Sequence, residues 1–403
     1  MKTGIKRIIY KIAPYPIFIA AGRLKTFFFT YFKSSDYKII RNVDEKFVPI
    51  IEIKPETFEK VIIPTVYAIN KECIMEVCSP AIRVYMLQDA LISSGSDIII
   101  VNDGVVWAKR FSRLYYKLTP DDPDLLSFRD SRICVKNKKY KRTISGNVIS
   151  MLGQFDSIWS HFLMQFFPKL YYAAQNGLID NNTTIIIPKY NDSNIIEAVE
   201  NIIERYNIKK IVAEPNTEYQ CERLVYFTPV IHYPDQATYL IPQEIVLPRE
   251  SLMAIKNGLV HPLRKQIYPT REKVKLFLIR RSPVRNLVNW KEVEDYFSTL
   301  GFMLIDGKDY SLEQKADLFG RAEIIAGAFS SAFTNVIFAQ NAKVLLFMNI
   351  ARASDTFITA LSTIGNCKIL GVVGEDEYPS GVHSSYRISI DEIKKAYNEI
   401  LNI

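Results

Sequence analysis

The sequence predicts an α/β protein whose C-terminal half is a doubly wound parallel sheet. Short apolar runs alternate with amphipathic helical patterns from Lys275 onward, and the connections between them are short. Several of the helical patterns open on a capping signal. A chain of 403 residues is long enough for two or three domains, and 48% hydrophobic against 23% charged residues is the balance of a globular protein with a large core.

Residues 1–45 read as a basic extension. Within residues 1–35 stand Lys2, Lys6, Arg7, Lys11, Arg23, Lys25 and Lys33 with no Asp or Glu, and apolar patches fall at residues 17–21 and 27–29. Pro14 and Pro16 interrupt the segment, and no apolar run approaches the roughly 20 residues that cross a bilayer. No small-residue cleavage site marks a secretory signal. Such a stretch suits either an anionic membrane surface or packing on its own domain. Nearly all of the formal charge of +8 lies here, so no nucleic-acid surface is indicated elsewhere.

Residues 46–250 form the first α/β domain. A strand is expected over residues 61–69, a short helix over 84–94, a buried strand over 97–101, and a hairpin turn at Asn102–Gly104. Asp121, Asp122 and Asp124, beside Pro120 and Pro123, read as an exposed loop, and residues 136–142 as a solvated basic run. Trp159, Phe162, Leu163, Phe166, Phe167 and Leu170 recur at helical spacing, so residues 154–177 predict a helix with Ser157 as N-cap and Pro168 as a kink. His161 falls in its first turn and reads either as a general base kept neutral there or as a structural histidine. Strand 183–188, helix 193–206 and strand 210–213 make a βαβ unit, followed by strand 224–228. The proline-marked stretch 241–263 is the transition between domains.

Residues 264–385 form the second domain. Strand 275–279 leads through a basic loop to a helix with Asn289 as N-cap and Glu292 three residues on, buried along Val293, Tyr296, Phe297 and Leu300 and ended by Gly301. Strand 302–305 follows, then a helix from Ser311 with Gln314 completing a capping box. A βαβ unit spans residues 322–347, with a small-residue turn at Ser330-Ser331-Ala332. Helix 355–364 and strand 368–373 complete the alternation. A last helix, within residues 386–403, is expected to pack back on the first domain.

Ligands of doubly wound sheets bind at the carboxyl ends of the strands. Arg280, Arg281 and Arg285 follow one strand there, and their rigid forks match phosphate oxygens. Ser330, Ser331, Thr334 and Asn335 line the turn after another, where free helix N–H groups suit a phosphate. The alternatives are a solvated basic loop and an ordinary strand–helix turn. Cys73, Cys78, Cys134, Cys221 and Cys367 are scattered and odd in number, which points to a reducing compartment, and with four isolated His no metal centre or other cofactor is expected.

Three blocks resemble glycosyltransferase family 61: SIWSHFLMQFFPKL, LFLIRRSPVRNLVNWKEVEDYFSTLGF and SLEQKADLFGRAEIIAGAFSSAFTNVIFAQNAKVLLF, in that order across residues 159–347. The third block departs from the family: Phe329-Ser330-Ser331-Ala332 stands where His-Gly-Ala-Gly is usual, and Leu346 where an acidic residue is common. The resemblance implies two Rossmann-like domains of the glycosyltransferase B type, with a nucleotide-sugar donor in the second and a glycan or lipid-linked glycan acceptor in the first. It implies inverting, metal-independent transfer, with His161 as base, Asp156 as second candidate, and Arg280, Arg281, Arg285, Ser330, Ser331, Thr334 and Asn335 around the donor. A cytoplasmic enzyme of surface or capsular polysaccharide synthesis, peripheral on the inner membrane face, is the expectation. The alternative is a non-catalytic glycan-binding or assembly subunit of the same fold, and a third reading is a phosphate-ligand α/β enzyme of another family.

Overall fold

The computed structural model describes residues 34–40, 43–71, 73–102, 104–107, 122–129, 132–233, 242–264, 272–377 and 381–402. The basic, aromatic stretch assigned to a membrane surface lies outside these residues except for Ser34 and Ser35. Among the described residues no helix is long and apolar enough to cross a membrane.

The C-terminal sheet has the expected parallel core. Its strand order is Met303–Ile305, Val274–Leu278, Ala322–Ala328, Lys343–Asn349, Lys368–Asp376, with all four pairings parallel. Counted along the chain this is 2-1-3-4-5, so the order reverses between Val274–Leu278 and Ala322–Ala328, the place where doubly wound sheets bind ligands at the carboxyl ends of their strands. Gly327 sits at that reversal with φ 147°; a Cβ there would lie 2.7 Å from the Leu278 carbonyl oxygen, so the close strand approach requires glycine. The capping box of Ser311 and Gln314 forms as expected. Asn289 caps differently. Its Nδ2 donates to Glu292 and to the Ile388 carbonyl, so it ties the helix Trp290–Thr299 to the chain's end.

The N-terminal sheet is larger and more mixed than a doubly wound domain. Lys209–Val212, Thr183–Ile187, Tyr140–Ser150 and Thr217–Phe227 run parallel in that order, and the helix Ser193–Tyr206 crosses over as expected. Beyond them the sheet continues to eleven strands, mostly antiparallel. The strand Ser34–Ile40 belongs to it, between Gly104–Trp107 and Arg132–Lys136. Residues 84–94 are no helix: they lie in the strand Ile82–Ser93, paired antiparallel with Thr217–Phe227. Met, Leu, Gln and Ala favour helix weakly, and a central place between two strands overrides that preference.

Asp122 and Asp124 are buried rather than exposed, and Asp121 lies outside the described residues. Asp122 accepts hydrogen bonds from Ser96 Oγ and the Asp97 and Asp124 N–H groups, and Asp124 accepts from Ser93 and pairs with Lys138. One lysine of the basic run is therefore an inward-facing counter-ion.

The helix over residues 159–175 begins at Trp159, with Ile158 and not Ser157 as its cap residue. It holds a π turn, Phe162–Phe166, closed by the Phe167 N–H to the Phe162 carbonyl. Pro168 follows at once, and a proline without an N–H shifts the hydrogen-bond ladder. The transition stretch is helical over residues 249–264 and has a second π turn, Lys256–Val260, just before Pro262.

One hydrophobic core runs between the sheets, joining Phe162, Phe166 and Leu170 to Phe333, Ile337 and Phe338. Polar ties reinforce it: Lys315 Nζ donates to Asn194 Oδ1 at 2.8 Å, and Thr65–Val66 adds a parallel edge to Lys368–Asp376. The last helix, Ile390–Asn402, packs on the second sheet rather than the first. Its Ile393, Ala396, Tyr397 and Ile400 join Phe277, Phe297 and Phe347, because these rings leave that face of the parallel sheet uncovered.

Candidate active site

The loop after Val274–Leu278 does not spread its three arginines toward one ligand. Arg281 turns away: its guanidinium makes two 2.7 Å bonds to Glu294 and stacks 3.6 Å from the Trp290 ring centroid. Arg280 organises the loop, donating from Nε to the Arg285 carbonyl and from Nη2 to the Val284 carbonyl. Arg285 is fixed through its backbone, not its side chain. Its backbone is left-handed, φ 55°, fixed by that Arg280 bond and by its own N–H to the His383 carbonyl at 3.1 Å. Among the described residues its buried Nε has no hydrogen-bond partner.

A fourth arginine joins it. Arg352 follows the strand Lys343–Asn349, lies 4.5 Å over the Phe329 ring, and pairs with Asp355 at 2.8 Å. Burial, then Arg352 and Arg280, push the Arg285 pKa down to about 10. Asp355 and Tyr233 lie within the same electrostatic neighbourhood. Three guanidinium groups within electrostatic reach of one another, against one buried carboxylate, leave net positive charge partly out of water, an environment that favours an anion.

His161 meets this cluster from the other domain. It is half-buried, and burial together with the Arg285 charge lowers its pKa to about 4, so the imidazole is neutral at ordinary pH. Its Nδ1 lies 3.2 Å from the Gln165 side-chain amide. Its ring packs 4.9 Å from that of Phe155. Asp156 points inward instead, accepting from the Gly153 N–H and Ser157 Oγ, and burial raises its pKa.

The Ser330–Asn335 turn caps a 3-10 helix, Ser331–Phe338. Ser330 Oγ is buried and, among the described residues, without a partner. Ser331 is exposed. Thr334 is buried and donates to the Ser331 carbonyl. Asn335 accepts from Trp159 Nε1 at 3.1 Å and donates to the Ala332 carbonyl, so its side chain is occupied in holding the two domains together.

Arg285 thus feels the charges of Arg280 and Arg352 and acts in turn on His161, whereas the side chains of Arg281, Thr334 and Asn335 are engaged elsewhere. Sequence reasoning missed Arg352, Tyr233 and Phe155. Arg352 could have been found by the rule that singled out Arg280, since it too lies just past a strand of the parallel sheet.

Residues 159–346 match the model of the family Glycosyltransferase 61. That is just under half of the chain and takes in most of the three blocks that carry the resemblance. The match supports this family, and with it glycosyl transfer between a sugar donor and a glycan acceptor in general. No curated protein matches the chain.

Proposed function

We propose that the chain is an inverting, metal-independent glycosyltransferase of the glycosyltransferase B type, acting on a nucleotide-sugar in surface or capsular polysaccharide synthesis. The observation that carries this is the arginine cluster Arg280, Arg285 and Arg352 beside a neutral His161. The acceptor hydroxyl gives its proton to His161 as its oxygen attacks the anomeric carbon. The bond from that carbon to phosphate breaks on the opposite face, and the electron pair leaves with the nucleoside diphosphate. Arg285 and Arg352 balance the charge that develops there, the task a divalent cation performs in other transferases. Gln165 Nε2–H donates to His161 Nδ1 at 3.2 Å, which leaves the ring proton on Nε2; base work at Nε2 therefore needs the other tautomer, with the Gln165 amide turned so that its oxygen accepts from Nδ1–H. Ser330 Oγ is a further donor for a phosphate oxygen.

A cytoplasmic place, peripheral on the inner membrane face through residues 1–35, fits five free thiols and the basic extension. One observation favours a second reading, a non-catalytic glycan-binding or assembly subunit: of the turn's polar side chains only Ser331 faces out. A thermal-shift screen with UDP-, GDP-, CMP- and dTDP-sugars separates the two. The transferase reading expects a rise in melting temperature with one diphosphate class. No rise with any of them, in folded protein at millimolar ligand, moves the assignment to the second reading.

A further inference from the structure

Among the described residues nine other than glycine have a left-handed backbone, and five of them are asparagines, for which it costs little. Of these nine, only Arg285 and Phe155 carry large side chains into that conformation; the Phe155 ring packs on that of His161, and the Arg285 charge acts on it. Arg285 has its reason in the arginine cluster. Phe155, at φ 65°, has none in the core: it is 43% exposed. A bulky residue held so costs on the order of 1–3 kcal/mol, which persists only where the surroundings over-determine it.

The surroundings do so here. The Gln154 N–H donates to Asp97 Oδ1 at 3.1 Å, the Gly153 N–H to buried Asp156 at 3.2 Å, and the Ile158 N–H to the Phe155 carbonyl at 3.0 Å. Gly153 lets the loop settle on Asp97 and Phe166; a Cβ there would come within 2.6 and 2.7 Å of them. The result is a loop that keeps a strained, 43% exposed aromatic residue with its ring tilted 35° against that of the candidate base, centroids 4.9 Å apart.

We infer that Phe155 is the platform for the acceptor: a hexopyranose stacks the apolar C–H face of its ring on Phe155 and so directs one hydroxyl to His161. This rests on the glycosyl-transfer reading for the role of His161, but the stacking itself does not need turnover. An aromatic face takes the C–H side of a pyranose and leaves its equatorial hydroxyls free, whereas a furanose offers no comparably flat face. The site therefore selects a pyranose-ended glycan over a furanose-ended one.

The test is saturation-transfer NMR on the full chain with methyl β-D-glucopyranoside, methyl β-D-galactopyranoside and methyl β-D-ribofuranoside as probes. Phe155→Gly keeps the left-handed backbone and the loop while removing the ring; Phe155→Trp restores an aromatic face and adds a fluorescent reporter. Transfer to the axial protons of a pyranoside, weakened about tenfold in Phe155→Gly and regained in Phe155→Trp, supports the inference. Pyranoside binding that is absent in the unaltered chain, equal in Phe155→Gly, or no stronger than the furanoside's overturns it. Nucleotide-sugar thermal shifts measured on the same samples report separately on the transferase reading: a lost donor response with Phe155-dependent pyranoside binding removes the enzyme and leaves the platform.

Discussion

The indole N–H of Trp159 donates to Oδ1 of Asn335 at 3.1 Å, from the first helix of the His161 segment to the turn beneath the arginine cluster. Both residues are buried, and the bond crosses the boundary between the two sheets. It sets the candidate base and the candidate phosphate site in one frame, so their separation does not depend on a hinge.

Asn335→Ala strands that indole N–H and frees the Ala332 carbonyl. A buried donor left without a partner costs about 1–3 kcal/mol, and urea denaturation should show a loss of that size. Nucleotide affinity measured below the unfolding transition should change little, because the Asn335 side chain is already occupied. A large loss of affinity with unchanged stability would return Asn335 to the donor ligands.

Arg285→Ala and Arg352→Ala should each weaken nucleoside diphosphate binding by roughly 10- to 100-fold, the worth of one charge-assisted contact of about 1.5–3 kcal/mol. Arg281→Ala should leave affinity as it is but lower stability by about 1–3 kcal/mol, since it removes both hydrogen-bond donors to the buried Glu294 carboxylate. Calorimetric titration with UDP and GDP ranks the three; equal losses in all would refute the division between them.

His161 titrates near 4 in the folded chain, below its ordinary 6.5. Unfolded chains therefore bind more protons between those values, and stability should fall as pH drops from about 6.5 to about 4, by up to roughly 3 kcal/mol from this residue. Melting curves against pH for the unaltered chain and His161→Gln should differ in that window and converge above it. If His161 is the base, the acid limb of kcat/KM also falls near pH 4; a limb at 6.5 would argue against it.

Lys138→Ala should cost about 3–5 kcal/mol, because it leaves Asp124 buried and unpaired. Lys139→Ala, its exposed neighbour, should cost almost nothing. Chemical denaturation of the two variants separates a solvated basic run from an inward-facing counter-ion.

Much of the second domain was legible because local signals and long-range packing agree there. The alternation of apolar strands with capped helices from Val274 to Asp376, the Ser311 capping box, and the glycine ending the Phe297 helix are written at short range. The first domain was less legible. Residues of ordinary helix preference became a central strand at Ile82–Ser93, and Pro-flanked aspartates became a buried hub, because distant strands and Lys138 supply what the local sequence does not.

The sequence by itself determined the α/β class, the parallel core, the three blocks of the family match, and the arginines and histidine from which a site is made. Which of those arginines faces His161 was decided by tertiary structure alone. Arg281 has Glu294 and Trp290 of the next helix within reach, and Arg285 is held left-handed by Arg280 and by His383 far along the chain, so folding sets two near-adjacent side chains in different surroundings. The same is true of Phe155: its exposure and its backbone are set by Asp97 and the floor of the first sheet, contacts that no local pattern encodes.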